Sequence, residues 1–226
     1  MKKAVVTVTI GTDFLNQAQW SHFSFKFYAK KVKADFIVFD KRKFLDRDSV
    51  YEKFQIRDLI EQGYQRILYI DTDAFIKPNC PDIFNLVPYE QIGGVYDNKE
   101  NEPANQDRTI QTQRILGDIK WERGYINAGI YIVSDIHKEL FNIPAKTPNE
   151  GWWDQNVLNY NIHKFGFKIY KLDIKFNAMF LYGYSTNGKI EDVDVDAYII
   201  HLAACGRRKE RLKFLYERYY ASINHN

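Results

Sequence analysis

Cysteine is scarce in this sequence. Cys80 and Cys205 are its only two cysteines, they lie far apart, and neither belongs to a CxxC pair. This usage predicts neither a disulfide framework nor a structural zinc site. It is typical of a protein kept in a reducing compartment, so we expect a cytoplasmic location.

Long apolar runs and a strong charge of one sign are also missing. The apolar run at residues 4–10 ends at Gly11-Thr12-Asp13, which is too short for a signal peptide or a membrane span. The 32 basic residues are nearly balanced by 29 acidic ones, for a formal net charge of +3. A general nucleic-acid-binding protein is therefore not indicated.

Aromatic residues are abundant instead, at 16% of the 226 residues. A chain of this length fits one domain, or one domain with a C-terminal extension, and can bury a sizeable core. Aromatics in such numbers suit both a core and a surface on which rings stack.

Strand-like and helix-like segments alternate along the chain. Apolar and β-branched patterns predict strands at residues 3–10, 34–40, 66–76, 125–134, 167–172 and 197–202, and helices at 14–31, 51–62 and 154–165. Gly63 is placed to cap the second helix. This order predicts an α/β fold with a mainly parallel sheet, covered on both faces and binding ligands at the carboxyl ends of its strands. The polar segment 97–122 is a candidate loop or lid.

Two carboxylates, Asp71 and Asp73, follow the apolar residues 67–70. Alternate residues of a strand share one face, so both carboxylates could converge on one divalent ion while Thr72 points away. Mg²⁺ or Mn²⁺ held in this way can neutralise a diphosphate. The alternative interpretation is a surface turn, where aspartate is also common.

Two further groups lie near the C-terminus. His201, within the apolar residues 198–202, is a plausible third metal ligand or a histidine packed at a strand end. The cluster that follows could reach phosphate oxygens through backbone N–H groups and charge, or could form the solvated face of a terminal helix; it consists of Gly206, Arg207, Arg208 and Lys209.

Two short elements combine small, amide or aromatic residues with an acid. Trp152 and Trp153 precede Asp154-Gln155, a combination that suits sugar rings and hydroxyls, although Asp154 could simply cap a helix. Asn127-Ala128-Gly129 interrupts a strand, which indicates either the close approach of a ligand or a bulge.

Together these elements resemble glycosyltransferase family 8 and its glycogenin-like relatives, from Thr7 to about Lys209. The specific matches are Asp71-Thr72-Asp73, Asn127-Ala128-Gly129 and the D-Q-x-x-L-N element that begins at Asp154. The resemblance implies a GT-A domain at residues 1–206 with a basic, aromatic tail at 207–226. It also implies retaining transfer of a hexose-type sugar from a UDP-sugar, with Mn²⁺ or Mg²⁺, to a saccharide, lipid-linked or protein acceptor.

The resemblance implies roles for individual residues. Metal ligands would be Asp71, Asp73 and His201, and the catalytic residues beside the reacting carbon would be Asp154 and Gln155. Donor contacts would come from Thr9, Phe14, Lys53, Thr72, Asn127, Ala128, Gly129, Gly206, Arg207 and Lys209. Phe14 replaces a tyrosine that stacks on the nucleotide base. The family usually has glycine three residues after the histidine, followed by Lys-Pro-Trp, whereas here Gly206 comes five residues after it.

Other interpretations stay open at this point. A metal-dependent phosphohydrolase or phosphotransferase, or a non-catalytic sugar-binding module, could also use such acids. A nicotinamide dehydrogenase is not indicated, because the first turn lacks GxGxxG. The segment 207–220 predicts an amphipathic helix that packs on the domain or contacts an anionic membrane. The acidic residues before the last strand are expected to be solvated, with no metal; they are Glu191, Asp192, Asp194 and Asp196.

Overall fold

Nine strands in two sheets and six α-helices form the described part of the chain. The structure is a computed structural model that describes residues 1–97, 103–148, 153–179 and 188–222, without the side chains of residues 13–14 and 103–106. The strands are β1 (Lys3–Val8), β2 (Asp35–Phe39), β3 (Arg66–Ile70), β4 (Ala74–Ile76), β5 (Gln91–Tyr96), β6 (Ile126–Ser134), β7 (Lys168–Lys171), β8 (Ala178–Met179) and β9 (Ile199–His201). The helices are α1 (Thr12–Lys31), α2 (Ile56–Glu61), α3 (Ile83–Leu86), α4 (Pro103–Leu116), α5 (Trp153–Lys164) and α6 (Arg208–Tyr219).

The larger sheet has the strand order β2-β1-β3-β6-β5-β7. Only β6 is antiparallel to its neighbours β3 and β5, so five of the six strands point the same way. Apolar side chains alternate between the faces: Ile67 and Tyr69 belong to one hydrophobic cluster, and Leu68 and Ile70 to another. Helices α2 and α5 contribute to the first cluster and α1 to the second. The predicted α/β class, with a mainly parallel sheet covered on both faces, is confirmed.

The prediction of one strand over residues 66–76 is wrong. β3 ends at Ile70, the chain turns at Thr72 and Asp73, and β4 belongs to a separate three-stranded sheet with the order β4-β9-β8. The backbone N–H of Asp71 still donates to Gly129 O at 2.7 Å, so the turn begins where the main sheet ends. Residues 66–70 and 74–76 are all buried, and a continuous apolar pattern cannot show that the chain passes from one sheet to another. His201 likewise ends a strand of the smaller sheet, not of the main one.

The interpretation of residues 97–122 as a loop is also wrong for most of its length, because α4 occupies Pro103–Leu116. This helix buries Thr109 and Thr112 while it exposes Ile110, so it lacks the apolar stripe that predicts a helix. Residues 98–102 lie outside the described part of the chain. The predicted helix at 51–62 is a 3₁₀ helix (Ser49–Gln55) followed by α2, and Gly63, with φ 87°, follows it as expected of a C-terminal cap residue.

The C-terminal segment forms helix α6 as predicted, and it packs against α1. Leu212, Leu215 and Tyr220 are buried in a cluster that also contains Phe75 of β4. Asp194 was expected to be solvated, and that prediction is wrong. Its carboxylate lies 2.9 Å from Lys77 Nζ and also contacts Tyr219 and Arg218, so it links the residue after β4 to the end of α6.

Among the described helices, none combines the length and the hydropathy that a membrane crossing requires.

His137 is a buried histidine whose ring orders the chain after β6. It lies in the 3₁₀ helix Asp135–Phe141, and its Nδ1 accepts from the backbone N–H of Ser134 at 2.9 Å. A protonated ring could not accept this bond. Burial lowers the pKa of His137 to about 4.

We therefore expect His137 to make stability depend on pH. The unfolded chain binds a proton near pH 6.5 and the folded protein only near pH 4, so stability falls as the pH drops through this window. His137→Gln keeps an acceptor for the Ser134 N–H without a titrating group. Between pH 7 and pH 5 the wild type should lose about 2 kcal/mol more stability than this variant, measured by urea unfolding. Equal losses in the two proteins would contradict the assignment.

Candidate active site

A cavity of about 410 Å³ lies where the carboxyl ends of β1 and β3 meet β6, β9 and the start of α6. Ten of the predicted site residues line it: Lys53, Asp71, Thr72, Asp73, Asn127, Ala128, Gly129, Asp154, Gln155 and His201. Thr9, Gly206, Arg207 and Lys209 are not among its lining residues. The backbone of Phe14 lies in α1, and its side chain is outside the described part of the structure. The fold thus collects residues from segments that are distant in sequence.

Asp71, Asp73 and His201 form a compact ligand group. One ligand atom from each side chain lies within 4.8 Å of the others, and His201 Nε2 is 3.3 Å from Asp73 Oδ1 and 3.8 Å from Asp71 Oδ2. The turn at residues 71–73 brings the two acids together, and the pairing of Ala74 with His201 brings the histidine to them. Carboxylates and an imidazole suit a divalent cation such as Mn²⁺.

Gly129 leaves the space that this group needs. A Cβ on Gly129 would lie 2.3 Å from His201 Cε1 and 2.8 Å from Asp71 Oδ2, so any larger residue would displace these ligands. The residues present therefore fit a metal ion, both in donor type and in the room kept for them.

The charges of this group depend on one another. Burial alone would lower the pKa of His201, but the neighbouring carboxylates of Asp73 and Asp71 together outweigh it and raise that pKa. Burial would raise the pKa of Asp73, but the His201 ring and the Arg208 guanidinium, with a backbone hydrogen bond, together outweigh it, so that pKa is lowered. For Asp71 burial prevails, and its pKa is raised. Two carboxylates at this place require positive charge nearby.

Lys53 supplies one such charge from the 3₁₀ helix that precedes α2. Its Nζ lies 2.7 Å from Asp154 Oδ2 and 3.7 Å from Asp71 Oδ1, and it donates to Ala128 O at 3.1 Å. Burial would lower the pKa of Lys53, but the carboxylates of Asp154 and Asp71 outweigh it and raise that pKa. Lys53 therefore joins the metal-ligand group to the Asp154-Gln155 element.

Arg208 supplies a second positive charge, from the first residue of α6. Its Nε lies 3.4 Å from Asp73 Oδ2 and donates to Leu202 O at 3.0 Å. Arg208 belongs to the basic cluster after His201, but the resemblance implied donor contacts only from its neighbours Arg207 and Lys209, which are exposed and do not line the cavity. Only the direction in which α6 begins decides which of these three cations faces the cavity.

Three polar residues of the site were not predicted from the sequence. Tyr69 donates to Asp71 Oδ1 at 2.7 Å, Asp97 accepts from Gln155 Nε2, and Asn177 lies within hydrogen-bond distance of both Asn127 and His201. Burial raises the pKa of Asp97. The sequence does contain a pattern that could have indicated Asp97, because this acid follows an apolar strand as Asp71 does. No such pattern marks Asn177, which is an isolated amide in a connecting segment.

Thr9 and Thr72 hold the turn at residues 71–73 against the end of β1. Their hydroxyls are 3.2 Å apart and buried, and Thr9 Oγ1 also lies 2.9 Å from His22 Nε2. The side chain of Thr9 is thus packed beneath the turn.

Ala204 adopts a left-handed backbone conformation, with φ 55°. It occupies the position three residues after His201, where the family has glycine, and it lines the cavity. The chain therefore keeps a glycine-like turn at this position despite the added Cβ.

We expect Gly129→Ala to weaken metal binding by about tenfold or more, because the new Cβ would push His201 and Asp71 apart. Isothermal calorimetry with Mn²⁺ measures this. Gly206→Ala is the matched control, since a Cβ there would meet nothing within 4 Å, and its Mn²⁺ affinity should equal that of the wild type. Equal affinities in all three proteins would show that Gly129 does not border the metal site.

We expect Ala204→Gly to lower the free energy of unfolding less than Ala203→Gly does. A left-handed conformation costs a residue with a Cβ about 1 kcal/mol, and glycine removes that cost. Ala203 has no positive φ, so its replacement only adds freedom to the unfolded chain. Urea unfolding should separate the two variants by about 1 kcal/mol. Equal destabilisation would contradict the left-handed turn.

Comparisons with known proteins agree with this fold and site. The family model "Glycosyl transferase family 8" matches residues 2–209. A glycosyltransferase involved in the glycosylation of the major capsid of PBCV-1 is similar in structure, with TM-score 0.59, 16% identity, and coverage of 96% of this chain and 100% of that one. The galactosyltransferase LgtC, in complex with donor and acceptor sugar analogs, has TM-score 0.58, 12% identity and 96% coverage of both chains. Mouse xyloside xylosyltransferase 1 has TM-score 0.53 and 12% identity, over 89% of this chain and 97% of that one.

No curated protein sequence matches the chain. At these identities the similar structures establish the fold, which is that of the GT-A glycosyltransferases. The family match covers nearly the whole sequence, and the chain belongs to glycosyl transferase family 8.

Proposed function

We propose that this protein transfers a hexose-type sugar from a UDP-sugar to a hydroxyl of a saccharide, lipid-linked or protein acceptor, with retention and with Mn²⁺ or Mg²⁺ as cofactor. The observation that carries the proposal is the convergence of Asp71, Asp73 and His201 on a cavity that Arg208 and Lys53 also line. Membership of the family supports the reaction class. The carboxylates supply the negative charge that a metal ion needs, and the lysine and arginine supply the positive charge that a nucleotide diphosphate needs.

The diphosphate would lie over the metal-ligand group. A cation held by Asp71, Asp73 and His201 would supply a Lewis acid that offsets the negative charge of the departing UDP. Asp71 is the more open carboxylate, with a side chain 32% exposed against 12% for Asp73. Arg208 can exchange its contact with Asp73 for a phosphate oxygen, because a guanidinium binds both carboxylate and phosphate.

The donor sugar would lie towards Asn127, Ala128 and Gly129, beside Asp154. When the bond between the sugar and the diphosphate breaks, positive charge develops on the sugar ring. The Asp154 carboxylate stabilises that charge, and its ion pair with Lys53 fixes its orientation. Gln155 has a positioning role in this proposal, since its amide is engaged at both ends, with Ala128 N–H and with Asp97.

The remaining predicted contacts and the location belong to the same proposal. Stacking of Phe14 on the base stays a prediction, as do donor contacts from Thr9, Gly206, Arg207 and Lys209, the division of the chain at residue 206, and the cytoplasmic location. A membrane contact of the C-terminal helix also stays a prediction. Any such contact would use the charged face of α6, because Leu212 and Leu215 are buried in the domain.

The proposal is tested by titrating UDP into the protein in a calorimeter, with Mn²⁺ and with EDTA. We expect binding that requires Mn²⁺ and that falls at least about a hundredfold in Asp73→Asn, because this change removes a ligand charge. Asp196→Asn is the matched control, since this aspartate is exposed and pairs with Lys175, and its UDP affinity should equal that of the wild type.

Wild-type protein that binds UDP with Mn²⁺ would next be supplied with UDP-hexoses. Release of UDP and NMR of the anomeric proton of the product then report the donor sugar and the stereochemistry. Absence of UDP binding under both conditions would overturn the proposed donor site.

A further inference from the structure

A directed chain of hydrogen bonds lies beneath the cavity and ends at His201, a member of the metal-ligand group. It starts at Gly129, whose backbone N–H donates to Asn127 Oδ1 at 2.9 Å. A backbone N–H can only donate, so the oxygen of this amide is identified and its Nδ2 points the other way. There Nδ2 donates to Gln155 Oε1 at 3.3 Å, and this oxygen is itself identified by the bond that it accepts from the Ala128 N–H. The orientation of Asn127 is thus fixed from both ends.

Asn177 transmits this orientation to His201. Its Nδ2 donates to Asn127 Oδ1 at 2.9 Å, so its own carbonyl oxygen is the atom that lies 2.8 Å from His201 Nδ1. A carbonyl oxygen can only accept, and the proton of this bond therefore belongs to Nδ1. Asn177 is 0% exposed and His201 2%, so solvent has little access to this bond.

A proton on Nδ1 leaves Nε2 as the atom with the lone pair whenever the ring is neutral. A histidine that binds a metal must be neutral at the coordinating nitrogen. Nε2 is the nitrogen that faces Asp71 and Asp73, at 3.8 and 3.3 Å. The tautomer that the hydrogen bonds impose is therefore the one that the ligand group needs.

We propose that Asn177 is a positioning residue that holds His201 in the Nδ1–H tautomer and directs Nε2 at the bound cation. The inference rests on the metal site of the proposed function. It assigns a role to an amide that touches neither the cation nor the substrate. In this proposal the backbone N–H of Gly129 ultimately determines the tautomer of His201, because it fixes the orientation of one asparagine side chain, which fixes the orientation of the next.

Two substitutions separate this role from simple packing. Asn177→Leu removes the acceptor for Nδ1–H, and we expect the Mn²⁺ affinity measured by calorimetry to fall about 10- to 100-fold. Asn177→Asp keeps an acceptor for Nδ1–H but cannot donate to Asn127, and its Mn²⁺ affinity should stay within about threefold of the wild type, since carboxylates commonly orient metal-binding histidines. A fall of equal size in both variants would overturn the proposal.

Asn161→Leu controls for the loss of a buried amide. Asn161 is 1% exposed in α5 and donates to Leu140 O and Asn142 O, away from the cavity. This variant should lose stability yet keep the Mn²⁺ affinity of the wild type. A matching loss of affinity in Asn161→Leu would attribute the effect of Asn177→Leu to general destabilisation, and so would overturn the proposal.

The tautomer is read directly by NMR of protein labelled with ¹⁵N-histidine, at an alkaline pH at which the His201 ring is neutral. Metal-free and Mg²⁺-loaded wild type, and Asn177→Asp, should each show a His201 Nδ1–H correlation that exchanges slowly with solvent, and Asn177→Leu should not. His201→Gln identifies the signal. Failure of the wild type to bind Mn²⁺ would overturn the metal site of the proposed function. An Nδ1 that carries no proton in the metal-free wild type would overturn the inference about Asn177.

Discussion

The site depends on holding two carboxylates, Asp71 and Asp73, close to each other and mostly away from water. Like charges in such a place repel and lose hydration, so they persist only where positive charge and donors compensate them. His201 and Arg208 compensate Asp73, and Lys53 and the Tyr69 hydroxyl compensate Asp71. The compensating groups come from four different elements of the fold, and each of these elements is held where its charge is needed.

The division of the strands between two sheets creates this arrangement. Because β3 stops at Ile70 and β4 joins the smaller sheet, the three residues between them form a turn at the edge of the main sheet. The antiparallel pairing of β4 with β9 then sets His201 opposite Ala74, next to the turn. The same sheet packs against α6, whose first residue is Arg208, so the helix contributes both to the hydrophobic core and to the wall of the cavity.

Backbone groups organise the other side of the site. The N–H groups of Ala128 and Gly129 orient the amides of Gln155 and Asn127, and the missing side chain of Gly129 leaves room for His201 and Asp71. Backbone donors are fixed by the sheet and cannot rotate, so they impose direction on every amide that follows them. In the short Asn-Ala-Gly element the last two residues therefore act through their main chain, which explains why they are small, and Asn127 acts through its amide.

Much of this protein was determined by the sequence alone. Periodicity predicted the α/β class and most of the strands and helices. The motifs at Asp71, Asn127 and Asp154 predicted the family and eight residues of the cavity, and the resemblance added Lys53 and His201. Local patterns failed at the change of sheet after Ile70, at the polar helix α4, at Asp194, and in the choice of Arg208 over its neighbours. No sequence pattern indicated a role for Asn177. Spacing along a chain records which face a side chain takes within one element, whereas pairing between elements and the direction of a hydrogen bond exist only after those elements have packed.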